Sequence, residues 1–334
     1  YYLMRILVTG GNGMIGMCMR SLDDEYSDDF IFTSRTSRFG KPGLDLMDKS
    51  SVENFFNVSE KFDYIIHLAA NVGGLYKNMN ENDKMYEDNV KMNRNIIEAC
   101  HKYGIKRGIF VLSSCIYTPN PSKFPMDETM IHEGPPHPSN SGYANAKRDM
   151  EKLCRSYNET GAEYICVIPV NLYGPHDNFD MKDGHFIPAI MNRWHKAKLR
   201  GENKFIAYGT GKPERQLLYA IDFCRIIMVL LLDVGEKKRY DSSEPIIICN
   251  DEEKTIKEIV NELAKVMGID QDKIEWDTSK SDGCMKKTVS NEKLKKVLKN
   301  VKTWEFNTFT KIRMGFFKTY NWYKRNYGIA RGTR

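Results

Sequence analysis

Two side chains four residues apart, Tyr143 and Lys147, have the types and the spacing that point most directly to chemistry. On a helix, residues at positions i and i+4 share one face, so the lysine ammonium would lie beside the tyrosine phenol. A neighbouring cation favours the phenolate, and we expect Lys147 to lower a phenol pKa that is about 10 when unperturbed. Tyr143 would then give or take a proton near neutral pH.

This spacing is a weak indicator by itself, because a chain with 18 tyrosines and 50 lysines and arginines contains it by chance. A surface tyrosine packed on a lysine stem is the simpler interpretation. Two other features favour catalysis. An apolar stretch ends in Ser113-Ser114-Cys115, thirty residues before Tyr143, and a glycine-rich turn lies near the start of the chain.

Gly10, Gly13 and Gly16 form the glycine-rich turn, which follows a short apolar strand and opens a helix. That context suits the pyrophosphate of a dinucleotide. The glycines permit a tight turn and a close approach, and the amides at the helix start face the phosphates. We therefore predict a dinucleotide site here, with Asn12 as a further polar contact to the phosphate.

The end of the second predicted strand indicates which dinucleotide binds. NAD sites generally carry an acidic residue there, about 20 residues after the glycines, which binds the ribose 2′-hydroxyl. This chain has Ser34 and Arg35 instead, and Arg38 and Lys41 follow. Hydroxyl and guanidinium groups attract a 2′-phosphate, so the sequence predicts NADP(H) over NAD(H).

Length and composition limit the class of protein. A chain of 334 residues exceeds the usual single core of about 250 to 300 residues, so two lobes are expected. The apolar fraction of 41% is ordinary. No run approaches the roughly 20 apolar residues that cross a bilayer, so no membrane segment is predicted. No export signal precedes the glycine turn, and we expect a cytoplasmic location.

Neither the cysteines nor the charges indicate a metal or a nucleic acid. The eight cysteines are scattered without CxxC pairs, which argues against zinc, and we expect reduced thiols, most of them in the core. The net charge is +6, and basic residues concentrate in 286–302 and 311–334. We interpret these segments as solvated helix faces in preference to a nucleic-acid surface.

Strands and helices alternate through the first half of the chain, which predicts an α/β fold with a doubly wound, Rossmann-like parallel sheet. Predicted strands are 5–9, 30–34, 64–69, 108–112 and 163–170, and predicted helices are 14–22, 82–103 and 143–160. We predict an NADP-binding Rossmann domain over 4–172, with returns near 218–250. A smaller α/β substrate-binding lobe is predicted over 173–217 and 251–330.

Together the motifs resemble the extended branch of the short-chain dehydrogenase/reductase superfamily and, within it, the GDP-L-fucose synthase family. The glycine turn and the Tyr-x-x-x-Lys pair mark only the superfamily. Ser-Ser-Cys-Ile-Tyr at 113–117 and Gly-Pro-His-Asp-Asn-Phe at 174–179 are far more specific to that family, and matching runs also lie at 67–75, 127–132 and 209–213. The resemblance covers nearly the whole chain. It implies conversion of GDP-4-keto-6-deoxy-D-mannose to GDP-L-fucose by C3/C5 epimerisation and NADPH-dependent C4 reduction.

The resemblance also implies catalytic roles. Ser113, Tyr143 and Lys147 match the family's triad, in which the serine hydroxyl binds the C4 oxygen and the phenol protonates it. Ser114 is the competing candidate for the serine. Lys147 would also hold the nicotinamide ribose.

Epimerisation needs two more groups, because C3 and C5 must each lose a proton from one face and regain one on the other. Cys115 and His185 match the family's pair. Their unperturbed pKa values of about 8.5 and 6.5 bracket a working pH near neutrality. We assign Cys115 as the base and His185 as the acid, as a hypothesis.

Binding residues are implied in the same way. Asn171 is expected near the sugar diphosphate, with Arg193, Arg215 and Lys287 as cations around the phosphates or the sugar. The implied cofactor contacts are Gly10, Asn12, Gly13, Met14, Ile15, Gly16, Ser34, Arg35, Asp45, Leu46, Leu68, Ala69, Ala70, Tyr143, Lys147, Pro169 and His185.

Two alternatives stay open from the sequence. A UDP-sugar 4-epimerase or a nucleotide-sugar 4,6-dehydratase uses the same triad with retained NAD, but usually has an acidic residue after the second strand and lacks the pair Cys115 and His185. A non-catalytic dinucleotide-sensing or RNA-binding protein of this fold belongs to another class, and such proteins commonly lose the tyrosine and the lysine. The resemblance further implies a homodimer formed through the helices predicted at 82–103 and 143–160.

Overall fold

A parallel sheet flanked by helices is built mainly from the first half of the chain. The computed structural model describes residues 3–35, 43–232, 244–299, 301 and 309–333. The strands are β1 (Arg5–Thr9), β2 (Asp29–Thr33), β3 (Tyr64–His67), β4 (Arg107–Val111), β5 (Glu163–Pro169), β6 (Asn171–Tyr173), β7 (Phe205–Tyr208), β8 (Glu214–Tyr219), β9 (Ile246–Ile248), β10 (Glu253–Thr255), β11 (Ile274–Asp277) and β12 (Lys286–Lys287). The helices are α1 (Met14–Arg20), α2 (Lys49–Val58), α3 (Leu75–Asn80), α4 (Asn82–Lys102), α5 (Ser141–Asn158), α6 (Phe186–Leu199), α7 (Ala220–Leu232), α8 (Ile256–Met267), α9 (Glu292–Leu298) and α10 (Ile312–Arg325).

The main sheet has six parallel strands in the order β2-β1-β3-β4-β5-β9. Ile6, Leu7 and Val8 of β1 are fully buried, as expected for a central strand covered by helices on both faces. The chain leaves β1 toward β2 on one side and later returns to β3 on the other. Ligands of open α/β sheets bind outside the carboxyl ends of the strands at such a reversal. The predicted doubly wound parallel sheet is confirmed.

A second, smaller core forms around Phe179, Trp194, Leu263 and Tyr323. It is surrounded by α6, α8 and α10, by a mixed sheet of β6, β8, β10 and β12, and by the pair β7 and β11. Helix α7 and strand β9 instead pack into the first core, and α7 lies against α1. The assignment of cofactor binding and substrate binding to the two lobes stays a prediction.

Several element boundaries differ from the sequence-based expectations. Helix α1 ends at Arg20, two residues early, and α5 begins at Ser141, two residues before Tyr143. Helix α2 was not predicted, because its serines and asparagines are weak helix formers; the Asp48 carboxylate caps it by accepting a hydrogen bond from the Ser50 amide at 3.0 Å. Within the described residues, no helix has both the length and the apolar character that a membrane crossing requires.

Candidate functional site

The glycine turn joins β1 to α1 and leaves an open approach at its centre. Gly10 has a φ of +73°, and a Cβ there would lie 2.7 Å from the amide nitrogen of Ala69. A Cβ on Gly16 would lie 2.6 Å from the Cα of Gly11, so both positions are closed to larger residues. A Cβ on Gly13, which begins the helix, would meet only the Gly10 carbonyl oxygen at 3.3 Å among the described atoms. Gly13 therefore leaves the space that a phosphate needs, and the turn fits a dinucleotide.

The end of β2 lies beside this turn. The Asn12 amide donates to the Ser34 hydroxyl at 2.7 Å, which joins the glycine turn to the predicted 2′-phosphate position. Arg35 is exposed next to it, whereas Arg38 and Lys41 lie outside the described residues. Sequence reasoning missed Arg20, whose guanidinium lies 4.1 Å from the Phe32 ring centre and donates to the Gly11 carbonyl.

The end of β3 forms the other wall of the crevice. The hydroxyl of Thr9 lies 2.8 Å from Nδ1 of His67 and accepts a hydrogen bond from the Ala69 amide, which holds Leu68 and Ala69 opposite the glycine turn. His67 is fully buried, and burial, with a smaller contribution from Lys147, lowers its pKa to about 3. The ring is therefore neutral and structural, a role that no motif in the sequence indicated.

The remaining predicted cofactor residues lie on loops around this crevice. Leu46 is buried, and its carbonyl accepts a hydrogen bond from the Asn95 amide at 2.8 Å. The Asp45 carboxylate accepts from the Met47 amide at 3.0 Å. Ala70 follows Ala69, Met14 and Ile15 open α1, and Pro169 ends β5.

Tyr143 and Lys147 share one face of α5, as predicted, with the ammonium 5.7 Å from the ring centre. Burial raises the pKa of the Tyr143 phenol above its usual value, and the nearby Cys115 adds to this shift. Our expectation that Lys147 lowers this pKa is wrong, because loss of solvent around the hydroxyl dominates, although the residue as a whole is half-buried. The phenol is protonated at neutral pH, as it would be at its usual pKa of about 10, and it can donate a proton, although the raised pKa makes it a weaker acid. Burial also lowers the pKa of Lys147 to about 8.

Ser113 and Cys115 lie in the tight turn that follows β4. The Ser113 hydroxyl oxygen accepts a hydrogen bond from the Cys115 amide at 3.3 Å and so caps a short 3₁₀ turn over Ser114–Ile116. Ser113 is half-buried, whereas Ser114 is buried at 6% exposure. The accessible hydroxyl of this run is therefore that of Ser113.

Cys115 and His185 come from distant parts of the chain and are both near Lys287. Burial raises the pKa of the Cys115 thiol, and the cations Lys287 and Lys147 oppose that shift. Loss of solvent around the ring lowers the pKa of His185, although the residue as a whole is exposed, and Arg331 and Lys287 lower this pKa further. A charge on Cys115 would therefore act on Tyr143 and Lys147, and the charge of Lys287 acts on both Cys115 and His185.

The predicted substrate cations line the second lobe. Lys287 of β12 is paired in register with Arg215 of β8, so two cations stand side by side. Arg193 lies on α6 with its guanidinium 3.8 Å from the centre of the Tyr208 ring. Burial lowers the pKa of all three cations. Asn171 is exposed at the start of β6.

The cysteine predictions can be compared with the structure directly. All eight cysteines are free thiols, and seven of them are buried. Among the described residues, no three His, Cys, Asp or Glu side chains form a group that could hold a metal ion.

Nearly the whole chain is similar to known proteins. Residues 6–242 match the model of the NAD dependent epimerase/dehydratase family. A GDP-L-fucose synthase of Dictyostelium discoideum is 35% identical over 332 residues, covering 98% of this chain and 97% of that protein. A probable GDP-L-fucose synthase of Drosophila melanogaster is 36% identical, covering 98% of this chain and all of that protein. A crystal structure of a GDP-L-fucose synthetase from Naegleria fowleri bound to NADP matches with a TM-score of 0.83 at 37% identity, covering 98% of this chain and 95% of that one.

Proposed function

Since the chain belongs to the NAD dependent epimerase/dehydratase family, and within it to the GDP-L-fucose synthases, we propose that it converts GDP-4-keto-6-deoxy-D-mannose to GDP-L-fucose. The reaction has two parts: epimerisation at C3 and C5, and NADPH-dependent reduction at C4. The observation that best supports both parts in one site is the place of the buried Cys115, which lies in the turn capped by Ser113 and, as a thiolate, would act electrostatically on Tyr143 and Lys147. A simple reductase has no need of that thiol.

Epimerisation begins with proton removal beside the C4 carbonyl, which acidifies the hydrogens on C3 and C5. Cys115, as a thiolate, takes the proton from one face of the ring, and the carbanion is held as the enolate of the C4 ketone. His185, as an imidazolium, returns a proton to the opposite face. Lys287 makes both steps easier, since its positive charge stabilises the thiolate and makes the imidazolium a stronger acid.

Reduction then uses the Tyr143 phenol as a proton donor. NADPH, when bound, supplies the hydride that adds to C4. Tyr143 protonates the resulting alkoxide, and the Ser113 hydroxyl binds that oxygen. Lys147 would hold the nicotinamide ribose, and its ammonium is kept in place by a hydrogen bond to the Val111 carbonyl at 2.7 Å.

We propose that the residues predicted from the sequence make the contacts to NADP(H). The amides at Gly13 and the start of α1 would hold the pyrophosphate, and Ser34 and Arg35 would hold the 2′-phosphate. The other proposed contacts are Gly10, Asn12, Met14, Ile15, Gly16, Asp45, Leu46, Leu68, Ala69, Ala70, Pro169 and His185.

The substrate's diphosphate is assigned to the cations of the smaller lobe. Arg215 and Lys287, which stand side by side, give the sugar end a positive field, and Arg193 and Asn171 complete the contacts. A partly buried guanidinium binds phosphate well, because it presents several N–H donors in one plane. On this basis the first lobe binds NADP(H) and the second binds the sugar nucleotide.

We also propose a cytoplasmic homodimer built on α4 and α5. These two helices pack together and border a surface groove of about 380 Å³ lined by Tyr86, Val90, Arg94, Met150 and Leu153, among others. Light scattering on the purified protein tests the dimer, and substitution of Val90 and Leu153 by charged residues should give monomers.

Turnover of purified GDP-4-keto-6-deoxy-D-mannose tests the function itself. In deuterated water without NADPH, label should enter C3 and C5, and added NADPH should be consumed as GDP-L-fucose forms. Consumption of NADPH without label at C3 and C5 would identify a plain 4-reductase. Activity that needs no added NADPH would identify an epimerase or dehydratase with retained cofactor.

A further inference from the structure

His185 follows a loop, 177–184, that is held from two sides. On one side, the Gly74 amide donates to the Asp183 carbonyl at 3.1 Å. On the other lies the segment 326–333, which we call the latch segment. Its Arg331 carbonyl accepts a hydrogen bond from the Phe179 amide at 2.9 Å. The backbone that leads into His185 is therefore fixed by contacts from two remote parts of the chain.

One buried amide, that of Asn192, ties the latch segment to the helix that His185 begins. Its nitrogen donates to the Phe179 carbonyl at 2.6 Å and to the Gly332 carbonyl at 3.3 Å. Its oxygen accepts a hydrogen bond from the Tyr323 hydroxyl at 2.8 Å. Asn192 is fully buried, so each of these bonds is costly to lose.

The latch segment packs closely enough to exclude a side chain at one position. Gly332 has a φ of +79°, and a Cβ there would collide with the amide nitrogen of Asp180. Ala330 and Thr333, on either side, are buried at 7% and 6% exposure. Asp180 in turn accepts hydrogen bonds from the amides of residues 182 to 184, which closes the loop just before His185.

The same segment brings a charge to the site. Burial raises the pKa of Asp177, and the positive charge of Arg331 opposes that rise; loss of solvent lowers the pKa of His185, and the same charge adds to the lowering. Asp177 is buried at 4% exposure, and its Oδ2 has no hydrogen-bond partner in the part of the chain that the structure describes. The charged groups whose fields reach the His185 ring are Arg331 of the latch segment and Lys287 of β12.

We propose that the latch segment is a working part of the His185 site: through the Arg331 carbonyl and the close approach of Gly332, its backbone fixes the 177–184 loop and so positions His185. This inference rests on the proposed function, in which His185 returns the proton during epimerisation. The latch segment should therefore matter for epimerisation and not for NADPH binding.

Two glycines of the latch segment give a matched pair of variants. Gly332→Ala and Gly328→Ala both place a side chain at a positive φ, so both carry a similar backbone strain. Only the first collides with the loop, because a Cβ on Gly328 meets no described atom within 4 Å. Deuterium incorporation at C3 and C5 of the keto sugar should fall about tenfold or more in Gly332→Ala relative to Gly328→Ala. NADPH affinity should be equal in the two variants.

The position of the latch segment beside His185 is tested by a readout that does not need turnover. The protein has seven histidines, and the His185 ring signals are assigned by their loss in His185→Asn. Arg331→Ala should raise the pKa of His185 by about half a unit, the size expected for a partly screened charge, and Arg331→Lys should restore it. Arg325→Ala, which removes an exposed arginine at the end of α10, is the control and should leave it unchanged.

The outcomes separate the two claims. Wild-type protein that exchanges no deuterium rejects the proposed function, and the ring titration then decides the latch inference alone. Equal exchange in Gly332→Ala and Gly328→Ala, or an unchanged His185 titration in Arg331→Ala, overturns the latch inference. Loss of NADPH binding in Gly332→Ala also overturns it, because the segment would then serve the fold as a whole.

Discussion

The ammonium of Lys147 lies 5.7 Å from the centre of the Tyr143 ring, yet it donates its hydrogen bond to the Val111 carbonyl at 2.7 Å. Val111 ends β4, so this bond anchors α5 to the carboxyl edge of the sheet. The phenol therefore keeps a fixed position, and with its raised pKa it is protonated at neutral pH. A protonated phenol held at this edge can serve as the donor that ketone reduction requires.

Replacing Tyr143 by phenylalanine should remove that donor and little else. We expect NADPH oxidation with the keto sugar to fall about 10² to 10⁴-fold, the usual contribution of a general acid, with NADPH affinity unchanged. Tyr157→Phe, on the same helix, is the matched control and should keep full activity. Reduction at the wild-type rate in Tyr143→Phe would show that another group protonates the alkoxide.

Replacing Cys115 by serine should separate epimerisation from reduction. A serine hydroxyl does not ionise near neutral pH, so it cannot act as the base. Deuterium incorporation at C3 and C5 should fall at least about 10²-fold, whereas NADPH should still bind. Cys100→Ser is the control, since it changes a fully buried thiol on α4, and it should incorporate deuterium like the wild type. Normal exchange in Cys115→Ser would reject the thiol as the base.

Lys287 should control the acidity of both epimerisation groups. Its charge lowers the pKa of Cys115 and of His185, so Lys287→Met should raise both values. Less thiolate is then present at pH 7, and the rise of deuterium exchange with pH should move to higher pH. Ultraviolet absorbance of the thiolate, read against Cys115→Ser, measures the shift directly.

The neighbouring lysine provides the control for that experiment. Lys286 lies next to Lys287 on β12 but pairs with Glu214 at 2.6 Å and with Glu253 at 3.4 Å. Lys286→Met removes the same charge from the same strand and should leave the thiolate titration unchanged. Equal shifts in the two variants would mean that general charge, and not Lys287, sets the pKa of Cys115.

Cofactor preference should depend on Ser34. Its hydroxyl accepts a hydrogen bond from Asn12 at 2.7 Å, and an aspartate there would accept the same bond while repelling a 2′-phosphate. Ser34→Asp should weaken NADPH binding by about tenfold or more, which corresponds to about 1.4 kcal/mol of repulsion between the carboxylate and the 2′-phosphate. It should improve NADH binding. The neutral variant Ser34→Asn controls for size. Similar NADPH affinity in both variants would place the 2′-phosphate elsewhere.

The sequence predicted the features that depend on local pattern. Buried β-branched runs and the glycines Gly10, Gly13 and Gly16 predicted the sheet and its crevice, and the i, i+4 spacing placed Tyr143 and Lys147 on one face of a helix. The site residues are separated widely in the chain, and only a resemblance to known enzymes could group Cys115 with His185. Periodicity carries no information on such distant pairs.

Features set by burial and by remote contacts were not predictable. The direction of the Tyr143 pKa shift depends on how much solvent the fold removes, which the spacing to Lys147 does not reveal. The contact between Arg331 and the 177–184 loop joins segments about 150 residues apart, and neither has a regular pattern. The sequence indicates only that Asp177 lies in a turn, because the residues around it give no sign that it is buried.

The free energy of unfolding should depend on pH through the carboxyl group of Asp177. Burial raises the pKa of its carboxyl to about 7, from about 3.9 in an unfolded chain. The folded protein therefore holds a proton that the unfolded chain releases. The stability from this proton is fully present below about pH 4 and is lost as pH rises through about 7. Between about pH 6 and 8 the loss should be of order 1 to 2 kcal/mol.

Asp177→Asn should remove this dependence. The asparagine oxygen still accepts the hydrogen bond from the Asn178 amide, which is 2.7 Å from Oδ1, and no group titrates. Urea unfolding should show the variant gaining stability relative to the wild type as pH rises from about 6 to 8. Asp270→Asn, which changes an exposed aspartate, is the control and should show no such trend. A variant whose stability differs from the wild type by the same amount at both pH values would mean that the Asp177 carboxyl does not titrate in this range, and the buried, unpaired oxygen would then need another explanation.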